Sequence, residues 1–219
     1  MDKIISPSPN HNERLCPIDT VLLHYTDMES AQRAIDALRN PLSQVSCHYV
    51  IDEEGQVYTL VEERKRAWHA GKSFWQGRTD LNSSSVGIEL VNPGHSYGYI
   101  PFSDSQIEAL IELLLEIQSR WEIPSSRILG HSDVAPRRKE DPGHLFPWKR
   151  LHQKGLGLWP VEGKGAYPDV KEGLSKIGYE TISLPHALLA FQRHFQPHKM
   201  DGIADDETLA LIAGLISDH

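Results

Sequence analysis

Short β-branched and aliphatic runs alternate with segments of helical periodicity up to about residue 150, and this alternation restricts the fold most. The run TVLLHY, Thr20–Tyr25, is typical of a buried strand and ends near a histidine. The following AQRAIDALR has helical spacing that stops at Asn40-Pro41. SVGIELV, Ser85–Val91, is a second apolar strand, interrupted by the single acid Glu89. Chains with this alternation form an α/β sheet with helices packed on it.

A hairpin and a long amphipathic helix lie within the same region. CHYVIDEEGQVYTLV, residues 47–61, is typical of a β-hairpin with its turn at the Glu-Glu-Gly sequence. A helix is predicted for Asp104–Trp121, with Ser103 as N-cap and Gln106 completing a capping box. One face of this helix is apolar and is formed by Ile107, Leu110, Ile111, Leu114 and Ile117.

The composition changes after Trp148, which predicts two domains. The first covers residues 1–160. A glycine-rich segment with two prolines, Lys154–Pro168, predicts a linker that extends to about residue 168. Residues 169–219 are expected to form a small three-helix domain, with helices at Val170–Ile177, Pro185–Phe195 and Asp205–Ile216. About fifty residues form only a marginal core alone, so a compact helical module is expected.

Charge and composition indicate a globular chain and exclude several classes of partner. The formal net charge is −8, with 39% hydrophobic and 24% charged residues, whereas a nucleic-acid binder normally carries a basic face. Two cysteines, Cys16 and Cys47, are too few for a disulfide framework. The longest apolar-rich stretch, Ile107–Ile117, is too short to span a bilayer, and the first residues show no signal-peptide run. We therefore expect no membrane span and a cytoplasmic location, or the periplasm and cell envelope if a leader has been removed.

The stretch GHSDVAPRRKEDPGHLFPW, Gly130–Trp148, concentrates polar side chains where prolines and glycines exclude a regular helix or strand. His131 stands at the expected C-terminal end of the strand SSRILGH, and His24 stands at the end of another strand. Either histidine alone is well explained by a hydrogen-bonded structural role. Two strand-end imidazoles and one carboxylate are, however, the ligand set of many catalytic zinc sites. That carboxylate is either Asp133, which would also suit a helix N-cap, or Asp141, and the spacing leaves both open.

Four motifs occur in the order found in a known enzyme family. LLHYT, RAWHAG (Arg66–Gly71), VGIEL and GHSDVAPRRKEDPG resemble those of the zinc-dependent N-acetylmuramoyl-L-alanine amidases. They are most similar to the Gram-negative branch that acts in muropeptide recycling and at the outer membrane. The resemblance covers roughly Val21–Pro160 and implies a central mixed β-sheet flanked by helices. It also implies that Asp133 is a structural turn residue.

The same resemblance assigns the metal site and the catalytic groups. It implies one zinc ion per chain, held by His24, His131 and Asp141. Glu89 matches the glutamate that transfers protons during amide hydrolysis. Lys139 matches the lysine that stabilises the oxyanion.

The implied reaction is hydrolysis of the amide bond between the lactyl group of N-acetylmuramic acid, or its anhydro form, and L-alanine. The partner is then peptidoglycan or an anhydro-muropeptide, and the candidate substrate contacts are His48, Trp68, His69 and Asn82. Phage members carry a catalytic tyrosine where this chain has Cys47, and Tyr49 cannot replace it because it should point to the opposite face of the strand. The alternative is a non-catalytic protein on the same fold that binds muropeptides without cutting them.

The C-terminal region resembles a second family. The AFQRHF helix, the Asp201-Gly202 turn and the D-x-x-T-L sequence at Asp205–Leu209 resemble the small three-helix peptidoglycan-binding module. The alternative interpretation is a helical cap that only packs on the first domain.

Overall fold

The computed structural model describes residues 2–160 and 169–217, so residues 161–168 of the predicted linker lie outside the described residues. The strands are β1 Lys3–Ile5, β2 His11–Glu13, β3 Thr20–Tyr25, β4 Tyr49–Ile51, β5 Val57–Thr59, β6 Lys65–Ala67, β7 Ser85–Leu90 and β8 Ile128–Gly130. The helices over the same ranges are α1 Ala31–Arg39, α2 Leu81–Ser84, α3 Gly94–Tyr97, α4 Asp104–Trp121, α5 His131–Val134, α6 Trp148–His152, α7 Val170–Ile177, α8 Leu184–Phe195 and α9 Asp206–Ser217.

The described strands form a central mixed sheet, as predicted. Its six strands follow the order β1-β5-β4-β7-β3-β8. The neighbours β4, β7, β3 and β8 run parallel, whereas β4 and β5 form the predicted antiparallel hairpin. The strands β2 and β6 pair separately as an antiparallel ribbon. The parallel strands align their C-terminal ends along one edge, where loops can combine polar residues from distant parts of the chain.

Side chains on the central strands alternate between two cores. Val21 and Leu23 of β3 pack with α4 on one face, together with Val86, Ile88 and Leu90 of β7. Leu22 points to the other face and belongs to a second core. Because side chains alternate with a period of two, His24 continues the face of Leu22, and Glu89 lies beside it in register on β7. The strands therefore bring an imidazole and a carboxyl to the same face of the sheet.

The helix α4 has the predicted bounds, but one part of its capping prediction is wrong. The Ser103 side chain accepts a hydrogen bond from the backbone N–H of Gln106 at 3.1 Å, as expected of an N-cap. The Gln106 side chain does not return a hydrogen bond to the cap. Its amide instead donates to the carbonyl oxygens of Ile51 and Val91 at 2.9 and 3.0 Å. Buried strand-end carbonyls need a donor, and this need decides the orientation of the glutamine.

The C-terminal helices α7, α8 and α9 lie within one or two residues of their predicted bounds. They share a core with the sheet, in which Leu174, Phe191 and Ile212 join Leu22 and Leu129. Among the helices of the described residues, none combines the length and apolar character needed to cross a membrane.

Candidate active site

Polar side chains from distant chain segments meet at the C-terminal edge of β7, β3 and β8. His24 is the penultimate residue of β3 and lies in register with Glu89 of β7. The strand β8 ends at Gly130, so His131 begins the short helix α5 and does not end the strand as predicted. Asp141 follows in the loop after α5. Parallel pairing of β3 with both neighbours places these segments side by side.

The three predicted metal ligands each present one atom to a common point. His24 Nδ1 lies 2.9 Å from His131 Nδ1, and Asp141 Oδ2 lies 2.9 and 3.0 Å from these two atoms. The three residues are 1%, 2% and 6% exposed, in the order His24, His131 and Asp141. Tetrahedral ligands at the usual zinc distances would stand about 3.4 Å apart, so the group would open slightly around an ion. Two imidazoles and one carboxylate in this arrangement fit a zinc ion.

The outer nitrogens of both histidines make hydrogen bonds that leave the inner nitrogens free for a cation. His131 Nε2 lies 3.0 Å from the carbonyl oxygen of Ala70, which can only accept, so the ring hydrogen is on Nε2. His24 Nε2 lies 3.1 Å from His69 Nδ1. The other nitrogen of His69 faces the hydroxyl of Ser85 at 3.4 Å, and that hydroxyl donates to a backbone carbonyl. His69 therefore donates from Nε2 to Ser85 and accepts at Nδ1 from His24 Nε2–H. The lone pair of His24 is then on Nδ1, as expected of a metal-ligating imidazole.

Burial and mutual contact set the charge states that a metal ion needs. The pKa of His24 is lowered to about 4, chiefly by burial and also by the neighbouring His131, against the opposing effect of Asp141. Burial raises the pKa of Asp141, but the charges and hydrogen bonds of the two histidines outweigh this and hold its pKa below the usual range. Near neutral pH, His24 is therefore neutral and Asp141 is ionised, which are the forms that bind cations.

Glu89 lines the same cleft. Its Oε2 is buried and has no hydrogen-bond partner among the described residues. Burial raises its pKa well above the usual value, Asp141 raises the pKa further, and Lys139 opposes this. A carboxyl with a raised pKa beside a cation site is suited to taking up and returning a proton.

The adjacent cations Arg137, Arg138 and Lys139 point to three different environments. Lys139 lines the cleft, and no described residue pairs with its ammonium group. Arg138 donates to the carbonyl oxygen of Ala70 at 2.8 Å and so supports the partner of His131. Arg137 pairs with a glutamate of the C-terminal region at 3.2 Å. Sequence reasoning did not identify the role of Arg138, because a run of cations looks uniform.

His48 lies beneath the cleft surface and not on it. Its side chain is fully buried. The backbone N–H of Gly87 donates to its Nδ1 at 2.9 Å, and its Nε2 faces the carbonyl oxygen of Lys65 at 3.1 Å. Burial lowers its pKa to about 3, with a further contribution from the charge of Arg14. His48 therefore has a supporting position between two backbone segments, and its substrate contact stays a prediction.

Asn82 also supports the cleft from below. It is buried, and its Oδ1 accepts hydrogen bonds from the backbone N–H groups of His69 and Ala70 at 2.9 and 2.7 Å. The Asn82 amide therefore fixes the loop at Ala70, whose carbonyl oxygen accepts the hydrogen bond from His131. Asn82 thus has a supporting position as well, and its substrate contact stays a prediction.

Trp68 and His69 both line the cleft, as the predicted substrate contacts should. The indole of Trp68 is partly exposed, and its Nε1 donates to Asn12 at 2.9 Å. The His69 ring stands edge-on to His24, with centroids 5.1 Å apart. It passes so close to β7 that a Cβ at Gly87 would lie 2.5 Å from it, which explains a glycine within this strand. Trp68 thus offers surface to a ligand, while His69 mainly orients His24.

The cleft has a volume of about 390 Å³, and part of its wall was missed by sequence reasoning. Tyr25 Oη lies 2.6 Å from His95 Nδ1, and the His95 ring stacks on Tyr99 with centroids 4.7 Å apart. Tyr25 and His95 line the cleft together with Glu140. These residues come from the end of β3, from α3 and from the loop after α5, so no local pattern in the sequence could have linked them.

Comparison with known proteins identifies the family and supports the fold. The family described as N-acetylmuramoyl-L-alanine amidase matches residues 14–144. The amidase AmiD of Escherichia coli (strain K12) is 35% identical over 235 residues, covering 92% of this chain and 83% of that protein. The 1,6-anhydro-N-acetylmuramyl-L-alanine amidase AmpD of Enterobacter cloacae is 41% identical over 108 residues, covering 49% of this chain and 56% of its own.

Two solved structures extend the similarity to nearly the whole chain. AmiD from E. coli, in complex with the substrate anhydro-N-acetylmuramic acid-L-Ala-D-γ-Glu-L-Lys, has a TM-score of 0.83 and 33% identity, covering 98% of this chain and 91% of that chain. AmpDh3 from Pseudomonas aeruginosa, in complex with anhydromuramic pentapeptide, has a TM-score of 0.82 and 31% identity, covering 92% of each chain. The sequence match over more than half of the chain and the shared fold show that this protein belongs to the N-acetylmuramoyl-L-alanine amidase family.

Proposed function

We propose that this amidase uses one bound zinc ion to hydrolyse the amide bond between the lactyl group of N-acetylmuramic acid, or its anhydro form, and L-alanine. The observation that carries the proposal is the convergence of His24 Nδ1, His131 Nδ1 and Asp141 Oδ2 in one cleft. Glu89 lines the same cleft, and its Oε2 has no hydrogen-bond partner in the described part of the chain, so it adds the proton-transfer group that an amide hydrolase needs. A purely structural metal site would not require such a group.

Muropeptides that carry an anhydro sugar are the proposed substrate class. The E. coli and P. aeruginosa relatives were both solved with ligands of this kind, and both match at least 92% of this chain. The partly exposed indole of Trp68 on the cleft wall provides an apolar surface for the sugar or the peptide.

Each catalytic residue has a distinct task in the proposed mechanism. When bound, zinc supplies Lewis acidity, which polarises the scissile carbonyl and lowers the pKa of water. Glu89 accepts the proton that the attacking water loses and delivers it to the nitrogen of the departing L-alanine. Its raised pKa favours the second transfer, because a more basic carboxylate holds the proton until the amine takes it.

Lys139 stabilises the negative charge that develops on the carbonyl oxygen. Its ammonium lines the cleft and has no partner among the described residues, so it can respond to the substrate. Removal of a comparable donor from an oxyanion site costs on the order of 3 kcal/mol of transition-state stabilisation.

Hydrolysis of a defined anhydro-muropeptide, followed by mass spectrometry, tests the proposal. We expect release of the free stem peptide by the wild type and its loss on chelation, with recovery when zinc is restored. Glu89→Ala should lower the rate by at least about a hundredfold while zinc content stays at one ion per chain. Glu112→Ala is the matched control, because Glu112 is exposed on α4, outside the cleft.

Two results would contradict the proposal. Cleavage that persists after complete removal of metal would exclude a zinc mechanism. Binding of the muropeptide by zinc-loaded wild type without any cleavage would instead indicate the non-catalytic recognition protein on the same fold.

Cellular location and wall binding are further predictions from the sequence. A cytoplasmic location, with the periplasm as the alternative, would be tested by immunoblotting of fractionated cells. Binding of the C-terminal helices to peptidoglycan would be tested by co-sedimentation of the full chain with insoluble wall.

A further inference from the structure

The carboxylate of Asp133 is the buried junction between the metal-binding helix and the C-terminal region. Its side chain is 1% exposed. Oδ2 accepts a hydrogen bond from the backbone N–H of Gly130 at 2.8 Å, which closes the first turn of α5. Oδ1 accepts a hydrogen bond from the hydroxyl of Tyr179 at 2.8 Å. Oδ2 also accepts a hydrogen bond from Nδ1–H of His194 at 2.9 Å. Two of its three donors therefore come from residues beyond position 169.

These donors act on a helix of a single turn that begins with a predicted metal ligand. The helix α5 contains only His131–Val134, so Asp133 lies two residues after the ligand in the same turn. So short a helix has little stability of its own, and its position must come from tertiary contacts. Tyr179 and His194 provide such contacts to Asp133, which lies in the same turn as His131.

A second attachment holds the loop that orients the same ligand. The carbonyl oxygen of Ala70 accepts the hydrogen bond from His131 Nε2. The loop that contains Ala70 continues to Gln76. The backbone N–H of Gln76 donates to the carbonyl oxygen of Gly178 at 3.0 Å. The Trp75 ring packs edge-on against Tyr179 at 5.0 Å, and a Cβ at Gly178 would lie 2.7 Å from this indole. The segment after α7 thus contacts both elements that determine the position of His131.

The His194 ring is itself held rigidly. It stacks between Trp148 and Phe195, with centroids 3.8 and 3.9 Å away. Its Nε2 is buried without a partner among the described residues. The ring is therefore oriented by its hydrogen bond from Nδ1 to Asp133. Burial, together with the nearby Asp133, raises the pKa of Tyr179 well above the usual value, which keeps its hydroxyl protonated as a donor.

We propose that Tyr179 and His194 are positioning residues for the metal site: through Asp133 they hold α5 so that His131 is placed for zinc before the ion arrives. The C-terminal helices are then part of the catalytic apparatus, whatever their affinity for the wall. This inference rests on the proposed zinc site and adds that zinc affinity depends on residues that do not touch the ion. Partners outside the ligand shell typically change metal affinity by about 10–100-fold when removed.

The test measures the zinc dissociation constant of the full chain by competition with a chromophoric chelator. Tyr179→Phe removes one hydroxyl, and His194→Phe removes the donor while it keeps an aromatic ring between Trp148 and Phe195. We expect zinc affinity to fall about tenfold or more in each variant, with the thermal transition still cooperative.

Tyr49→Phe is the matched control. Tyr49 is also a buried tyrosine that donates to a carboxylate, at 2.7 Å to Glu63, but it lies in the core under α4 and outside the cleft. The control should lose similar stability yet keep its zinc affinity within about twofold of the wild type. His194→Asn, which retains a side-chain N–H donor, should restore part of the affinity that His194→Phe loses.

The outcomes separate this inference from the proposed function. If the wild type binds no zinc, the metal site itself is wrong. If the wild type binds zinc and both Tyr179→Phe and His194→Phe stay within twofold of it, the site stands and the positioning role is overturned. Should His194→Phe fail to fold, Tyr179→Phe decides the question by the same criterion.

Discussion

At the scale of single residues, burial changes the chemistry of side chains that look ordinary in the sequence. Glu89 has a raised pKa because β7 places it inside the cleft, where its Oε2 has no hydrogen-bond partner among the residues that the structure describes. His48 becomes a neutral acceptor for a backbone N–H because it is fully enclosed. The residue type limits the possible roles of each, and the surroundings select one of them.

The burial of His48 predicts a pH dependence of stability for the metal-free protein. Its pKa of about 3 in the folded state lies below the ordinary value of 6.5, so the unfolded chain takes up a proton first as the pH falls. The contribution to stability is complete above about pH 6.5 and is lost progressively towards pH 3. Between pH 7 and pH 5 we expect this residue to remove about 2 kcal/mol from the free energy of unfolding.

Urea unfolding in chelator at the two pH values measures this effect. Comparison with His48→Asn, which does not titrate, isolates it from the other buried histidines. An equal loss of stability in both proteins would show that His48 is not neutral in the folded state.

At the scale of elements, the helix α4 illustrates how one side chain connects secondary structures. Its apolar face packs on the sheet, and its bounds follow from the periodicity and from Ser103. Gln106 adds a polar link, since its amide donates to carbonyl oxygens at the ends of β4 and β7. This link lies within an apolar core, so its loss leaves the carbonyl oxygen of Val91 unsatisfied, whereas that of Ile51 still accepts a backbone N–H.

Gln106→Leu should therefore destabilise the protein although it adds an apolar side chain to a core position. We expect a loss of about 1–3 kcal/mol in the free energy of unfolding, because the carbonyl oxygen of Val91 loses the donor that Gln106 provides and that of Ile51 keeps only a backbone N–H. Chemical denaturation measures the change. Gln118→Leu on the same helix is the control, since Gln118 is partly exposed, and it should be nearly neutral. Equal effects of the two substitutions would refute the proposed role of the buried amide.

At the scale of the whole molecule, one core joins the sheet to the C-terminal helices. Leu22 and Leu129 of the sheet pack in the same cluster as Phe191 and Ile212. The buried side chain of Asp133 adds polar contacts across this boundary. A shared interior of this kind couples the stability of both regions, which favours unfolding as a single unit.

Calorimetry of Phe191→Ala tests that coupling. Phe191 is fully buried, and its truncation should cost about 3–5 kcal/mol and lower the temperature of one common transition. The exposed His186 on the same helix provides the control, and His186→Ala should leave the transition almost unchanged. Two separate thermal transitions, of which Phe191→Ala shifts only one, would show that the C-terminal helices form an independent domain.

The sequence by itself determined the elements and the candidate chemistry. The alternation of apolar runs predicted the strands β3 and β7, and local periodicity predicted α4 to the residue, because these features depend on neighbours a few positions away. From the residues alone, the third ligand was open between Asp133 and Asp141, and the family resemblance selected Asp141.

Only the tertiary structure decided how these residues meet. His24 lies 107 positions from His131 and 117 from Asp141, separations over which no periodic pattern carries information. The structure places Asp141 with the two histidines and turns Asp133 away to Tyr179 and His194. Strand register and the packing of the C-terminal helices on α5 produce this division, and both are long-range contacts whose free energy depends on the completed fold.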